Sequence, residues 1–235
     1  MVSKRVYGAD GRALCAMKSP SNTDIVFIRM PGIVSFAEMA AVQRERRGAV
    51  ESGTAPDTVY FLQHSPVITL GRDARPDHML SDSATLHAAG IEVIETDRGG
   101  DVTYHGPGQI VAYPIFNLNH WRPSVGWYLR SLEEVVIQAI RPFGLQGERI
   151  PPYTGVWVNG AKVAAVGVGI RKWITWHGIA LNVHPDMRHF AHIVPCGIPD
   201  KPVTSLQLLL GSAPSMDSVM AQMETAFRDV FASHG

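Results

Sequence analysis

A chain of 235 residues with 46% hydrophobic content can bury one sizeable core, so a single domain is the default reading. Lys plus Arg and Asp plus Glu both number 21, which excludes the basic excess of a bulk electrostatic nucleic-acid binder. The two cysteines, Cys15 and Cys196, are too few for a disulfide framework and read as free thiols of a reducing, cytoplasmic compartment, and no apolar run approaches the ~20 residues of a membrane span.

Residues 1–24 are polar, rich in Gly, Ser and Lys, and read as a loose arm; Lys4 and Arg5 are not followed by the apolar stretch of a secretory signal. Residues 25–235 read as one folded domain. Ile25 to Met30 is a predicted strand, and Ser35 with Glu38 forms a capping box that opens a helix to about Val50. Val59–Leu62 and Val67–Leu70 read as strands around a turn at Ser65-Pro66. Ile91–Thr96 alternates as a strand, and so does Gln109–Phe116, where Pro114 predicts an edge or a bulge. Tyr128, Leu132, Val135, Val136, Ala139, Ile140 and Phe143 share one helical face, as do Met216, Val219, Met220, Met223, Phe227, Val230 and Phe231. Between these helices, Val156–Val158, Asn159-Gly160 and Val163–Val168 spell a hairpin with a type I′ turn, and Trp173–Val183 follows as a strand. Helices and strands do not alternate regularly, so the fold class is α+β with a mixed or mainly antiparallel sheet.

Three segments concentrate chemistry. Arg98-Gly99-Gly100-Asp101-Val102-Thr103-Tyr104-His105-Gly106-Pro107-Gly108-Gln109 combines four glycines with several hydrogen-bonding side chains. That many glycines are costly in chain entropy and make sense in tight turns or where backbone approaches a ligand. The segment is neither a dinucleotide fingerprint nor a P-loop, because no helix follows and no Gly-Lys-Ser/Thr closes it. Lys162 heads an apolar strand; taken alone it is also what a snorkelling lysine at a hairpin end looks like. Ala164, Ala165, Gly167, Gly169, Gly178 and Ala180 give that strand pair a small-residue face on which a hydrocarbon chain would lie. Val194-Pro195-Cys196-Gly197-Ile198-Pro199 fixes a thiol on an irregular loop, with the Gly197 N–H beside it as an expected oxyanion donor. His177 is a rival partner for Cys196 in a thiol-hydrolase pair. His184, His189 and His192 match no usual zinc spacing, so no metal is expected.

The blocks Arg98-Gly99-Gly100-x-x-Thr103-x-His105-Gly106-Pro107-Gly108-Gln109, Lys162-Val163-Ala164-Ala165-Val166-Gly167, His177-Gly178-Ile179-Ala180-Leu181-Asn182 and Pro195-Cys196-Gly197 stand in the order of the lipoyl/octanoyl transferases of lipoate biosynthesis, and the chain resembles that family from about Ile25 to Leu209. The resemblance implies a fold like that of biotin and lipoate protein ligases, in one acyltransferase catalytic domain. It implies transfer of octanoyl from octanoyl-acyl carrier protein to a lysine of lipoyl domains, in 2-oxoacid dehydrogenase complexes and the glycine cleavage H protein. Cys196 would carry the acyl thioester, and Lys162 would tune it or shuttle its proton. Arg98, Gly99, Gly100, Asp101, Val102, Thr103, Tyr104 and His105, with Ala165, Val166, Gly167, Gly178, Ile179 and Ala180, would bind the acyl group. No cofactor, nucleic acid or membrane is implied. The alternatives are an ATP-dependent lipoate-protein ligase, a Cys/His thiol hydrolase and a non-catalytic lipoyl-domain binder.

Overall fold

The computed structural model describes residues 25–197 and 201–232, so the N-terminal arm with Cys15 lies outside the described residues. Among the described residues, nine strands form two sheets. The larger takes β1 (Val26–Val34), β2 (Thr58–His64), β6 (Gln109–Ile115), β9 (Ile174–Asn182), β8 (Ala161–Arg171) and β7 (Val156–Val158), in that spatial order. Its neighbours are antiparallel except β1 and β2. The smaller sheet sets β3 (Val67–Leu70) between β4 (Glu92–Glu95), parallel to it, and β5 (Val102–His105), antiparallel. This is the mixed, mainly antiparallel architecture that the sequence predicts.

Helix α1 (Phe36–Glu51) starts where Ser35 accepts the Glu38 N–H at 3.2 Å. It packs on one face of the large sheet, where Met39 and Val50 meet Tyr60, Val111, Tyr113 and Ala180. On the other face lie α3 (Val125–Ile140) and α5 (Met216–Ala232), whose predicted apolar stripes are buried except for Met216 and Met220, which are half-buried, and Phe143, which lies just past the end of α3 and is half-buried. Phe227 there touches the rings of Phe27, Phe61, Phe116 and Phe231. Burying such a side chain contributes roughly 1.5–3 kcal/mol, so the helix stripes, not strand propensity, anchor this layer. Two short helices, α2 (Ser83–Ala88) and α4 (Leu206–Leu210), complete the fold. None of the helices among the described residues is long and apolar enough to cross a membrane.

The two strands predicted around Ser65-Pro66 are present as β2 and β3, and the turn hands the chain from the large sheet to the small one, with the Ser65 N–H on Val34 O (3.2 Å) and the Glu92 N–H on Pro66 O (3.1 Å). One local expectation is corrected: Pro114 is not at an edge, since β6 lies between β2 and β9. The ladder with β9 covers Gln109–Ala112 and stops short of the proline, near His177, whose φ is +56°. A missing N–H is tolerated there because no ladder bond is asked of it.

Arg46 donates to the Tyr60 hydroxyl, Arg47 lies over the Trp176 ring, and Lys172 pairs with Glu51. Between the α1 face of the large sheet and the small sheet runs the Arg98–Asp101 loop. It is pinned to β8 by the Gly99 N–H on Val168 O at 2.9 Å.

Candidate active site

Asn159 and Gly160 have φ of +52° and +77°, as a type I′ turn requires, and they deliver Lys162 as the second residue of β8. Its backbone is tied on both sides, N–H to Pro202 O (2.8 Å) and C=O from the Thr204 N–H (2.9 Å). The side chain does not snorkel: Lys162 is only 5% exposed. Its Nζ lies 3.0 Å from Cys196 Sγ and 5.1 Å from the centroid of the Trp157 ring.

Cys196 sits in a kinked turn with φ +56° and ψ +20°, a left-handed conformation that disfavours a side chain. The Val194 N–H on His78 O (2.8 Å) and the Met79–Ile193 bridge hold the approach to this turn. The Gly197 N–H is not free for an oxyanion, as the sequence suggested, because it donates to Val194 O at 3.0 Å and closes the turn.

Cys196 and Lys162 stand at one end of a cavity of about 170 Å³. Its floor is the small-residue face, and the register sets Ala165 opposite Ala180 and Gly167 opposite Gly178. The floor ends where the Trp176 indole fills the space over Gly169. Val166 and Ile179 also border the cavity, and Ala164 faces the core on the other side. Phe36, Tyr113 and His177 meet at the far end, with Phe36 stacked on His177 at 6.2 Å and Tyr113 edge-on to it at 6.0 Å.

Arg98, Gly99, Gly100, Asp101, Thr103 and His105 form the side wall; Val102 and Tyr104 do not. On a strand alternate side chains point to opposite faces, and these two enter the core of the small sheet with Ile68 and Ile193. The Asp101 carboxylate is held by the Val102 N–H (2.7 Å), the Arg75 N–H (3.3 Å) and His78 Nδ1 (2.5 Å).

His177 is not a base for Cys196. It lies opposite Val168, six residues along β8 from Lys162, which at ~3.3 Å per residue is about 20 Å along the strand. Its Nε2 bonds Asp97 at 2.8 Å, which holds that carboxyl well below the usual range. His189 and His192 bond Tyr104 and Ser81, and no group of three or more potential metal ligands occurs among the described residues.

The separate sequence blocks meet in one hydrogen-bond network. Arg98, nearly buried, donates to Thr69 Oγ1 (2.9 and 3.1 Å), Thr69 O (2.6 Å) and Gly99 O (3.2 Å). Burial pushes His105 down to about 3, so it is neutral at pH 7. Its Nδ1 donates to Gln109 Oε1 at 2.8 Å, which leaves Nε2 bare towards the Thr69 hydroxyl. The Gln109 amide donates to Asn182, and the Asn182 amide to Thr204 O, whose N–H holds the Lys162 carbonyl. Thr69, Phe36, Val111, Tyr113, Tyr153 and Thr154 are site residues that the sequence did not single out. Val111 and Tyr113 carried a signal, the shared inward phase of their strand.

The profile of the lipoyl protein ligase A/B catalytic domain matches residues 35–228. An octanoyltransferase of Chloroflexus aurantiacus is 48% identical over 204 residues, 86% of this chain and 92% of that one. One of Solibacter usitatus is 43% identical over 204 residues, 87% and 92% of the two chains. A crystal structure of lipoate-protein ligase A bound with ATP superposes with a TM-score of 0.70 at 17% identity, over 88% of this chain and 85% of that one. The biotin protein ligase of Aquifex aeolicus with biotin and ATP gives 0.55 at 15% identity, over 88% and 71%. These structures share the fold. By family profile and by relatives spanning most of its length, the chain belongs to the lipoyl protein ligase A/B catalytic domain family and is an acyltransferase of its octanoyltransferase branch.

Proposed function

We propose that this acyltransferase moves an octanoyl group from octanoyl-acyl carrier protein to a lysine of a lipoyl domain, in the cytoplasm, through a thioester on Cys196. The observation that carries this reading is the Lys162 Nζ–Cys196 Sγ contact of 3.0 Å at the mouth of an apolar slot. An ammonium so close to sulfur favours the thiolate, which is the nucleophile. The thiolate attacks the donor thioester carbonyl, the new C–S bond forms as the donor's C–S bond breaks, and the donor leaves as a thiolate that takes up the proton Cys196 gave up. The acceptor amine then attacks the Cys196 thioester, the amide forms, the amine gives up a proton, and Cys196 leaves as thiolate. The acyl group lies along the floor of Ala165, Gly167, Gly178 and Ala180. The lipoyl domains of 2-oxoacid dehydrogenase complexes and the glycine cleavage H protein are the acceptors this chemistry serves.

Passage from thioester to amide is downhill, so octanoyl transfer is expected with no nucleotide present. Intact mass of the protein mixed with octanoyl-carrier protein alone should show one acyl group on Cys196, discharged when a lipoyl domain is added. A strict requirement for ATP and free octanoate would assign ligase chemistry instead, and release of free octanoate would assign a hydrolase.

The aromatic end wall of Phe36, Tyr113 and His177 closes the slot, which predicts a length limit. Each buried CH₂ contributes ~0.8 kcal/mol, up to about fourfold in relative kcat/KM, until the wall is reached. Activity across acyl-carrier donors should rise to octanoyl and then fall. A flat profile out to palmitoyl would mean an open slot.

A further inference from the structure

We propose that Glu133 is a positioning residue for Lys162, acting through the backbone of Gly155; this rests on the Cys196–Lys162 reading above. Glu133 interrupts the apolar face of α3 between Leu132 and Val135 and is fully buried. Its Oε2 accepts Arg130 Nη1 (2.6 Å) and Arg149 Nε (3.1 Å), and its Oε1 accepts the Gly155 N–H at 3.0 Å. Both arginines remain partly exposed, at 48% and 32% of their side chains. Burying a carboxylate for such pairs gains little stability, because its desolvation offsets the attraction. What the carboxylate does achieve is geometric.

Gly155 has φ +139°, and a Cβ placed on it would come within 2.6 Å of Lys162 Cε, 3.3 Å of Nζ and 2.6 Å of the Ala164 carbonyl oxygen on the same strand. The Gly155 backbone is therefore one wall of the channel that aims the ammonium at Cys196, and the Trp157 ring is another. By gripping Arg149 and Gly155 together, Glu133 also fixes both ends of the 149–155 segment, whose Tyr153 and Thr154 border the acyl cavity. Among the described residues, the titratable and charged groups about Cys196 are Lys162 from β8, Arg98 and Asp101 from the side wall, and His78, which with Asp101 lies against Gly197. Changes at Glu133 and Gly155 leave Arg98, Asp101 and His78 in place and bear on Lys162.

The test is the pH profile of iodoacetamide alkylation at Cys196 in the full chain, with melting temperature measured beside it. Lys162→Ala sets the scale and should give the largest upward move of the midpoint. Glu133→Asp keeps the charge but draws the carboxylate back from the Gly155 N–H. Gly155→Ala leaves Glu133 intact and crowds the Lys162 side chain. Both should raise the midpoint, by up to about one unit, or about tenfold in alkylation rate near neutral pH. Glu133→Met, of similar length but with no acceptor for the Gly155 N–H, replaces Glu133→Asp if the latter does not fold. A lower melting temperature with an unmoved midpoint in the Glu133 variant would overturn the proposal. So would a shift in only one of the two positions, since the route runs through both. If Lys162→Ala itself leaves the midpoint unmoved, the pairing beneath the proposal is wrong and the proposal falls with it.

Discussion

Cys196→Ala is expected to leave no acyl adduct and to lower transfer by ~10³-fold or more, the scale of losing a covalent nucleophile. The substitution isolates chemistry from folding. Cys196 is only partly buried, and its left-handed turn is held by backbone bonds of its neighbours that alanine does not disturb. Alanine meets the same backbone restriction as cysteine at φ +56°, so no new strain is introduced. What disappears is the sulfur that Lys162 faces at 3.0 Å. Cys15→Ala, in the arm outside the described residues, is the matched control and should change neither adduct nor rate. The measurements are intact mass with octanoyl-carrier protein and single-turnover transfer to a lipoyl domain. Normal turnover by Cys196→Ala would sink the covalent mechanism.

The helices and the central hairpin were legible because their signals are local. Ser35 and Glu38 stand three apart and cap α1, and Asn159-Gly160 supplies the two positive φ values that a type I′ turn needs. The stripes of α3 and α5 repeat at helical spacing and pack as a unit. What the sequence left open was non-local. Alternation marks β2 and β3 as strands, but no residue in Ser65-Pro66 says that the two join different sheets. Pro114 announces a missing hydrogen bond without saying that an interior ladder stops beside it.

The site divides in the same way. Motif resemblance placed the Arg98 block, the Lys162 block, the Gly178 block and Cys196 together, and they do surround one cavity. Strand phase explains why Val102 and Tyr104 face away from it. His177 lines the cavity yet is tied to Asp97, a partner eighty positions away that no spacing rule supplies. Gly197 offered an N–H on paper, and the turn itself consumes it. Glu133 and Gly155 carry no motif signal, because their importance lies in a contact between a helix and a loop.

Lys162 is expected to separate two roles when it is replaced by arginine and by alanine. As a fixed positive charge it would only favour the Cys196 thiolate. As a proton shuttle it must also release a proton and then take one from the incoming amine. Arginine can play the first role but not the second, since a guanidinium stays protonated to above ~12. The surroundings favour a role beyond charge. The Lys162 side chain is nearly buried, held between the Gly155 backbone and the Trp157 ring, and its Nζ points at the sulfur where the amine must arrive. Lys162→Arg should therefore retain much of the Cys196 alkylation rate at neutral pH yet lose most transfer to the acceptor lysine, by the 10²–10⁴-fold typical of a lost acid–base group. Lys162→Ala should lose both. Iodoacetamide alkylation against pH, run beside single-turnover acyl transfer, reads the two activities separately. If Lys162→Arg transfers at a near wild-type rate, Lys162 is a charge and nothing more, and the amine proton leaves by another path.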